Sequence, residues 1–153
     1  MPRERAGTEQ RRRLRRANRD DVGLLAGIVG GPEPGRVRAT RRILGSLAAD
    51  VYLSIEGDGS TSGVFMVAYR RSLLAGGLVA EIDLLRCLAP IPSPAREEVL
   101  RLLLEGALLR ARRRGCVAVS AGVDDESRGA LLERAGFEAF AGRVLLPLLK
   151  QDP

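Results

Sequence analysis

The 153-residue chain contains no histidine and no tryptophan. Without histidine, Ser-His-Asp and Cys-His nucleophilic machinery and every His-ligated metal site are excluded. The two cysteines, Cys87 and Cys116, stand alone, so no CxxC metal or redox pair exists. Their apolar neighbourhoods suggest buried, reduced thiols in a cytoplasmic protein. Aromatics are scarce, with three Phe and two Tyr. No apolar run approaches the length of a membrane span, and the N-terminus lacks the apolar core of a signal peptide. Lysine is nearly absent too: of 25 basic residues only Lys150 is not arginine.

That arginine excess gives a formal charge of +6, and its distribution matters more than its size. Residues 1–19 carry eight Arg against Glu4 and Glu9, leaving seventeen basic and seventeen acidic residues in the rest of the chain. The body is therefore balanced. The leading segment could touch RNA, DNA or anionic lipid through Arg3–Arg19, but a solvated tail is the reading we favour over a nucleic-acid contact. The chain length suits one domain, with residues 1–12 as a disordered basic tail and 13–150 as the folded unit.

Periodicity and punctuation order the elements. Arg13–Ala17 reads as a short strand with Leu14 facing inward. Asn18 or Asp20 caps a helix through Val22, Leu24, Leu25, Ile28 and Val29. The run from Gly30 to Gly35 breaks that helix, and Arg36–Ala49 carries Val37, Ile43, Leu44 and Leu47 at helical spacing. Val51–Glu56 and Gly63–Arg70 form a hairpin about Gly57–Ser60, and Leu78–Leu88 is a third strand. Ser93-Pro94 opens a long helix with an N-cap and a proline at its first position. On that helix Val99, Leu100, Leu103, Leu104, Ala107 and Leu108 face inward, while Glu97, Arg101 and Glu105 line an exposed edge. Cys116–Ser120 is a short strand, Arg128–Ala135 a helix stopped by Gly136-Phe137, and Glu138–Leu149 supplies the closing strand or strands. The fold class is α+β, with a mixed, mostly antiparallel sheet of about six to seven strands flanked by about four helices.

The stretch Val79–Gly115 is where chemistry concentrates. V-A-E-I-D-L-L puts two carboxylates, Glu81 and Asp83, two residues apart and so on one face of a strand. An apolar strand raises the pKa of a carboxylate and suits it to accepting a proton. The bland alternative is that they face solvent or pair with arginine on a neighbouring strand. Beyond them, a strand end followed by a loop and a helix N-terminus is a natural anion site.

With these pieces assembled, the chain resembles the GCN5-related N-acetyltransferase (GNAT) superfamily over about Leu14 to Leu149. The resemblance is carried by L-R-R-A-N-R-D-D-V, V-A-E-I-D-L-L, R-R-R-G-C-V-A-V and, most specifically, S-R-G-A-L-L-E-R-A-G-F. It implies transfer of an acetyl group from acetyl-CoA to a small-molecule or protein amine, by a soluble protein that can dimerise, with no membrane partner. It also implies Glu81 as general base, with Asp83 sharing that role or binding the amine. The cofactor would run along Leu85 and Cys87 and across Ala95, Arg96 and Arg101 at the helix start. Cys87 on its own reads as core packing.

Two positions depart from the family pattern. No glycine occurs between Gly77 and Gly106, where glycines let the backbone approach a pyrophosphate. The loop is I-P-S-P-A-R-E-E, in which Pro94 lacks an amide and Glu97 and Glu98 oppose phosphate charge. Leu132 falls where the family's thiolate-protonating tyrosine lies, leaving water or Tyr69 as substitutes. Two readings follow: an acetyltransferase, or a protein of the same fold that binds or regulates without transferring acetyl.

Overall fold

A computed structural model describes residues 11–31, 33–88, 93–122, 126–140 and 143–148. The expected tail falls largely outside them, as does the loop over residues 89–92. A seven-stranded sheet runs in the order β1-β2-β3-β4-β5-β7-β6. Its strands are β1 (Arg13–Arg16), β2 (Ala49–Ile55), β3 (Thr61–Ser72), β4 (Gly77–Cys87), β5 (Ala118–Ala121), β6 (Glu138–Phe140) and β7 (Arg143–Pro147). The helices are α1 (Val22–Ile28), α2 (Pro34–Leu44), α3 (Ser93–Arg113) and α4 (Glu126–Arg134). All neighbouring strands pair antiparallel except β4 with β5. The mixed α+β architecture and the order of elements are those expected from the sequence. No helix among the described residues is long and apolar enough to cross a membrane.

Two apolar clusters explain why the sheet is covered on both sides. On one face α3 and α4 pack against Phe65, Val67, Ala80, Ile82, Leu85 and Val119. On the other, α1 and α2 bring Leu25, Ile28, Ile43 and Leu44 onto Val51, Leu53, Ile55 and Val64. Strands β2 and β3 thus alternate between two buried faces. The inward stripe of α3 is the one its spacing predicts, from Val99 to Leu108, all buried.

Close approach of α3 to the sheet is set by two glycines. A Cβ on Gly63 of β3 would stand 2.8 Å from Leu103, 2.9 Å from Val99 and 3.0 Å from the Ser54 hydroxyl. One on Gly106 of α3 would stand 2.3 Å from Leu14 and 3.1 Å from Phe65. Leu14 therefore does face inward, into space that Gly106 leaves open.

Several boundaries shift for local reasons. Asn18 caps a single 3-10 turn, Arg19–Asp21, ahead of α1: its side chain accepts from the Asp20 amide at 2.8 Å, and Asp21 accepts from the Asn18 amide at 2.7 Å. Helix α2 starts two residues earlier than expected, because Pro34 suits the first helical position. It also ends earlier, at Leu44, since Gly45 and Ser46 turn the chain into β2. Leu47, expected on the helix's apolar stripe, is instead 83% exposed.

Candidate active site

Strand β4 carries the two carboxylates. Its register against β3 slips between Met66 and Val67, so that Met66 faces Leu84 and Val67 faces Ile82. Asp83 is the extra residue of this β-bulge. The α3 face takes Ala80, Ile82, Leu85 and Cys87, leaving Glu81 and exposed Asp83 to the opposite face with Leu84. The apolar enclosure expected around Glu81 is not there. Its side chain is 23% exposed, and Oε2 accepts from Arg70 Nε at 3.3 Å. Arginine pairing across neighbouring strands, the bland reading weighed above, is what the structure contains.

On the β5 side Glu81 is in register with Ser120. The two residues share a face, because Val119 and Ala121 flank Ser120 on the α3 side. The Ser120 Oγ is buried and has no hydrogen-bond partner among the described residues. The parallel ladder runs only from Val79 to Ile82 on β4 and from Ala118 to Ala121 on β5, whereas β4 continues to Cys87.

On the α3 face an open groove of about 690 Å³ lies between the first half of α3 and α4. Arg96 and Arg101 line it from α3, and Arg134 lines it from the end of α4. Glu97, Glu98 and Glu105 line it as well, so three guanidiniums stand against three carboxylates. Glu98 is also engaged at 3.7 Å by Arg12, which is itself tied to Glu56. Arg134 was not singled out from sequence: only the fold brings the last turn of α4 beside the first turns of α3.

The other cofactor positions divide. Ala95 sits half-buried in the first turn of α3, while Leu85 and Cys87 turn their side chains into the core beneath the helix. A contact from either to a ligand would have to use its backbone. Ser93 begins α3, and its side chain, with the cap expected there, lies outside those described. For a pyrophosphate, the helix start offers the amides of Ala95–Glu97 and the three arginines, yet no glycine relieves the approach. The first glycine of α3 is Gly106, and its open side is filled by Leu14 and Phe65.

Neither the residue at the tyrosine position nor Tyr69 can serve as the proton donor. Leu132 is 1% exposed and belongs to the core. Tyr69 lies on the α3 face and donates its hydroxyl to Asp50 at 2.8 Å; burial and that bond push its pKa well above the ordinary phenol value. It holds its proton tightly and has already committed it.

Asp50 is itself the most unusual group in the molecule. It is wholly buried, yet three arginines surround it: Arg16 at 3.3 Å, Arg110 at 3.3 Å and Arg114 at 3.5 Å. Burial pushes the carboxyl pKa up, but the Tyr69 hydrogen bond and the charges of Arg110 and Arg114 outweigh it, and the carboxyl is held below its usual range. Arg110 also lies over the Tyr52 ring and Arg114 over the Tyr69 ring. This cluster stands at the C-terminal end of α3, roughly 20 Å by helix rise from Arg96 at the start of the groove.

A mixed sheet with one parallel pair, a long helix crossing it and a second helix bordering a groove define the GNAT acetyltransferase fold, and the chain has that fold. Among solved structures it is similar to the aminoglycoside antibiotic 6'-N-acetyltransferase AAC(6')-Ih from Acinetobacter baumannii, with a TM-score of 0.69 and 12% identity over 94% of this chain and 99% of that one. It is similar to AAC(6')-Iy in complex with a CoA-S-monomethyl-acetylneamine bisubstrate analogue, at TM-score 0.68 and 16% identity over 84% of this chain and 92% of that one. A transcriptional regulator from Bacillus halodurans C-125 matches at TM-score 0.67 and 22% identity, covering 84% of this chain and 94% of that one. No protein-family model matches the sequence, and no curated protein matches it. One fold thus accommodates differently described proteins, and function has to be argued from the site.

Proposed function

We propose that this chain is an N-acetyltransferase that takes acetyl-CoA as donor and an amine as acceptor. The observation that carries the reading is the arrangement around β4. An arginine-bearing groove opens at the start of α3 on one face. Glu81 and Asp83 stand on the other, and the β4–β5 ladder ends between them at Ile82. Arg96, Arg101 and Arg134 would hold the anionic part of the cofactor. When bound, acetyl-CoA supplies the acetyl group as a reactive thioester.

Glu81 is the proton acceptor in this reading. The acceptor amine loses a proton to the Glu81 carboxylate, its nitrogen bonds to the acyl carbon, and the carbon–sulfur bond breaks. The thiolate leaves to solvent and regains a proton there, because Leu132 and Tyr69 are both unavailable. Asp83, exposed beside Glu81, would attract a cationic acceptor. An amine substrate is what the names of the two aminoglycoside-modifying neighbours suggest; aminoglycosides themselves remain a property of those proteins.

A second reading has its own support. Leu132 buried in the core and Glu81 paired with Arg70 both suit a protein of this fold that binds or regulates without transferring acetyl.

Thermal unfolding with acetyl-CoA tests the enzyme reading first. A ligand present at about 100 times its Kd stabilises by about 2.7 kcal/mol. For a domain of this size that raises Tm by about 5–10 °C. No shift at millimolar cofactor would reject the enzyme and leave the second reading. With binding in hand, Glu81→Gln should cut turnover about 10²–10⁴-fold at unchanged cofactor affinity. A wild-type protein that binds but never turns over leaves the second reading.

A further inference from the structure

The end of the molecule at the C-terminus of α3 has a composition the acetyl-transfer reading does not use. Three segments meet there: the turn at residues 45–48, the β3–β4 hairpin at 70–77, and the end of α3 with its following turn at 110–117. Arg114 donates to the Leu47 carbonyl at 2.9 Å and lies over Tyr69, while a Cβ on Gly77 would stand 2.9 Å from Val117. Together these segments hold six arginines and no acidic residue, in a body whose total charge is balanced. The carboxylates they meet are buried Asp50 and Glu81, the latter already paired with Arg70. Arg71, Arg112 and Arg113 are exposed.

Beyond the arginines project apolar side chains with nothing on them. Leu73 and Leu74 are 102% and 95% exposed, and Leu47 is 83% exposed. The hairpin tip is a held turn: the Gly76 amide bonds the Leu73 carbonyl at 3.2 Å, and the Ala75 amide bonds the Ser72 hydroxyl at 3.2 Å. Full exposure of two adjacent leucines on such a tip costs free energy that a partner recovers.

We propose that this end docks peripherally on an anionic lipid bilayer, with Leu73 and Leu74 entering the acyl boundary and Arg71, Arg112 and Arg113 meeting lipid phosphates. Three features favour a bilayer over other occupants. The tip is convex, and a fluid bilayer receives a convex apolar group without a matching groove. Guanidiniums set behind an apolar tip are the charge complement of an anionic headgroup layer. A second copy seated two-fold on this end would bring six arginines against six. Nucleic acid fits poorly, since among the described residues no aromatic ring is exposed for bases to stack on. The contact needs no spanning helix.

The test is co-sedimentation of the full chain with vesicles of mixed phosphatidylglycerol and phosphatidylcholine, beside vesicles of phosphatidylcholine alone. Binding should require phosphatidylglycerol and weaken in high salt. The double variant Leu73→Ser with Leu74→Ser should lower the bound fraction at least tenfold, and Arg112→Gln with Arg113→Gln should lower it as well. Both sites are exposed, so circular dichroism and Tm should match the wild type. Absence of binding to phosphatidylglycerol vesicles overturns the proposal. So does binding that survives loss of both leucines. So does a dimer in sedimentation velocity that the leucine variant abolishes, which would show that the hairpin covers a second copy.

Discussion

Asp50 shows how much one residue can depend on its surroundings. A carboxylate with no exposure is costly unless it is paired, and here it has one hydroxyl and three guanidiniums drawn from β1, β3 and α3. Removing its charge while keeping its shape leaves Arg110 and Arg114 facing a neutral amide beneath the sheet end. Asp50→Asn should therefore destabilise by about 3 kcal/mol. Read as thermal unfolding, that is a fall in Tm of about 6–12 °C. A fall under about 2 °C would mean the cluster is surface decoration. Nothing local marks this aspartate. The sequence reading gave Asp50 no role, because its partners lie 19, 34, 60 and 64 positions away along the chain.

Glu81 teaches the complementary lesson. The sequence places it on the right strand, and the structure confirms the strand but not the apolar enclosure. Arg70 is eleven residues distant across a hairpin whose pairing no local pattern specifies. The bulge at Asp83 is equally invisible, since V-A-E-I-D-L-L reads as an unbroken alternation.

Among the elements, α3 is the most legible and the most constrained. Its apolar stripe is plain in the sequence, and its seating depends on what it lies against. Gly63→Ala inserts a methyl group against Leu103, Val99 and Ser54 at once. It should cost about 1–3 kcal/mol through overpacking, measured as a lower denaturant midpoint with unchanged slope. A neutral outcome would mean α3 rides further from the sheet than 2.8–3.0 Å contacts imply. Helix α4 poses a sharper question. Leu132→Tyr restores the residue the family pattern calls for, but at a position 1% exposed. The ring and hydroxyl should strain the core by about 1–3 kcal/mol and raise no acetyl transfer. A gain in turnover would show that this turn of α4 can face the groove. The α2 boundary was misplaced for a simple reason: a helical stripe says where apolar residues recur, whereas Gly45 and Ser46 say where the helix has to stop.

For the whole molecule, charge decides the response to pH. With no histidine, none of the unperturbed side chains titrates between about pH 5 and 8, so stability should be flat there. Asp21, beside Arg15, and Glu56, beside Arg12, are held below their usual range, as Asp50 is. A depressed folded pKa contributes stability that is complete above the unfolded value, about 4. It is lost as pH falls through the lower folded values. Chemical denaturation from pH 8 to 2 should show a plateau and then a fall below about pH 4. A slope across pH 5–8 would point to a strongly shifted group elsewhere.

The sequence alone determined the order of elements, the α+β class, the inward turn of Leu14 and the inward face of α3, because burial of a periodic stripe is a local code that any tertiary partner can satisfy. It also determined what chemistry is excluded, since no fold can supply an absent imidazole. What only the tertiary structure decided are the meetings: Arg134 with Arg96 across the groove, Arg70 with Glu81, four side chains around Asp50, and six arginines gathered behind two bare leucines. Each joins residues from separate elements, and their approach is set by strand register, a bulge and the missing Cβ atoms of Gly63 and Gly106, not by any spacing along the chain.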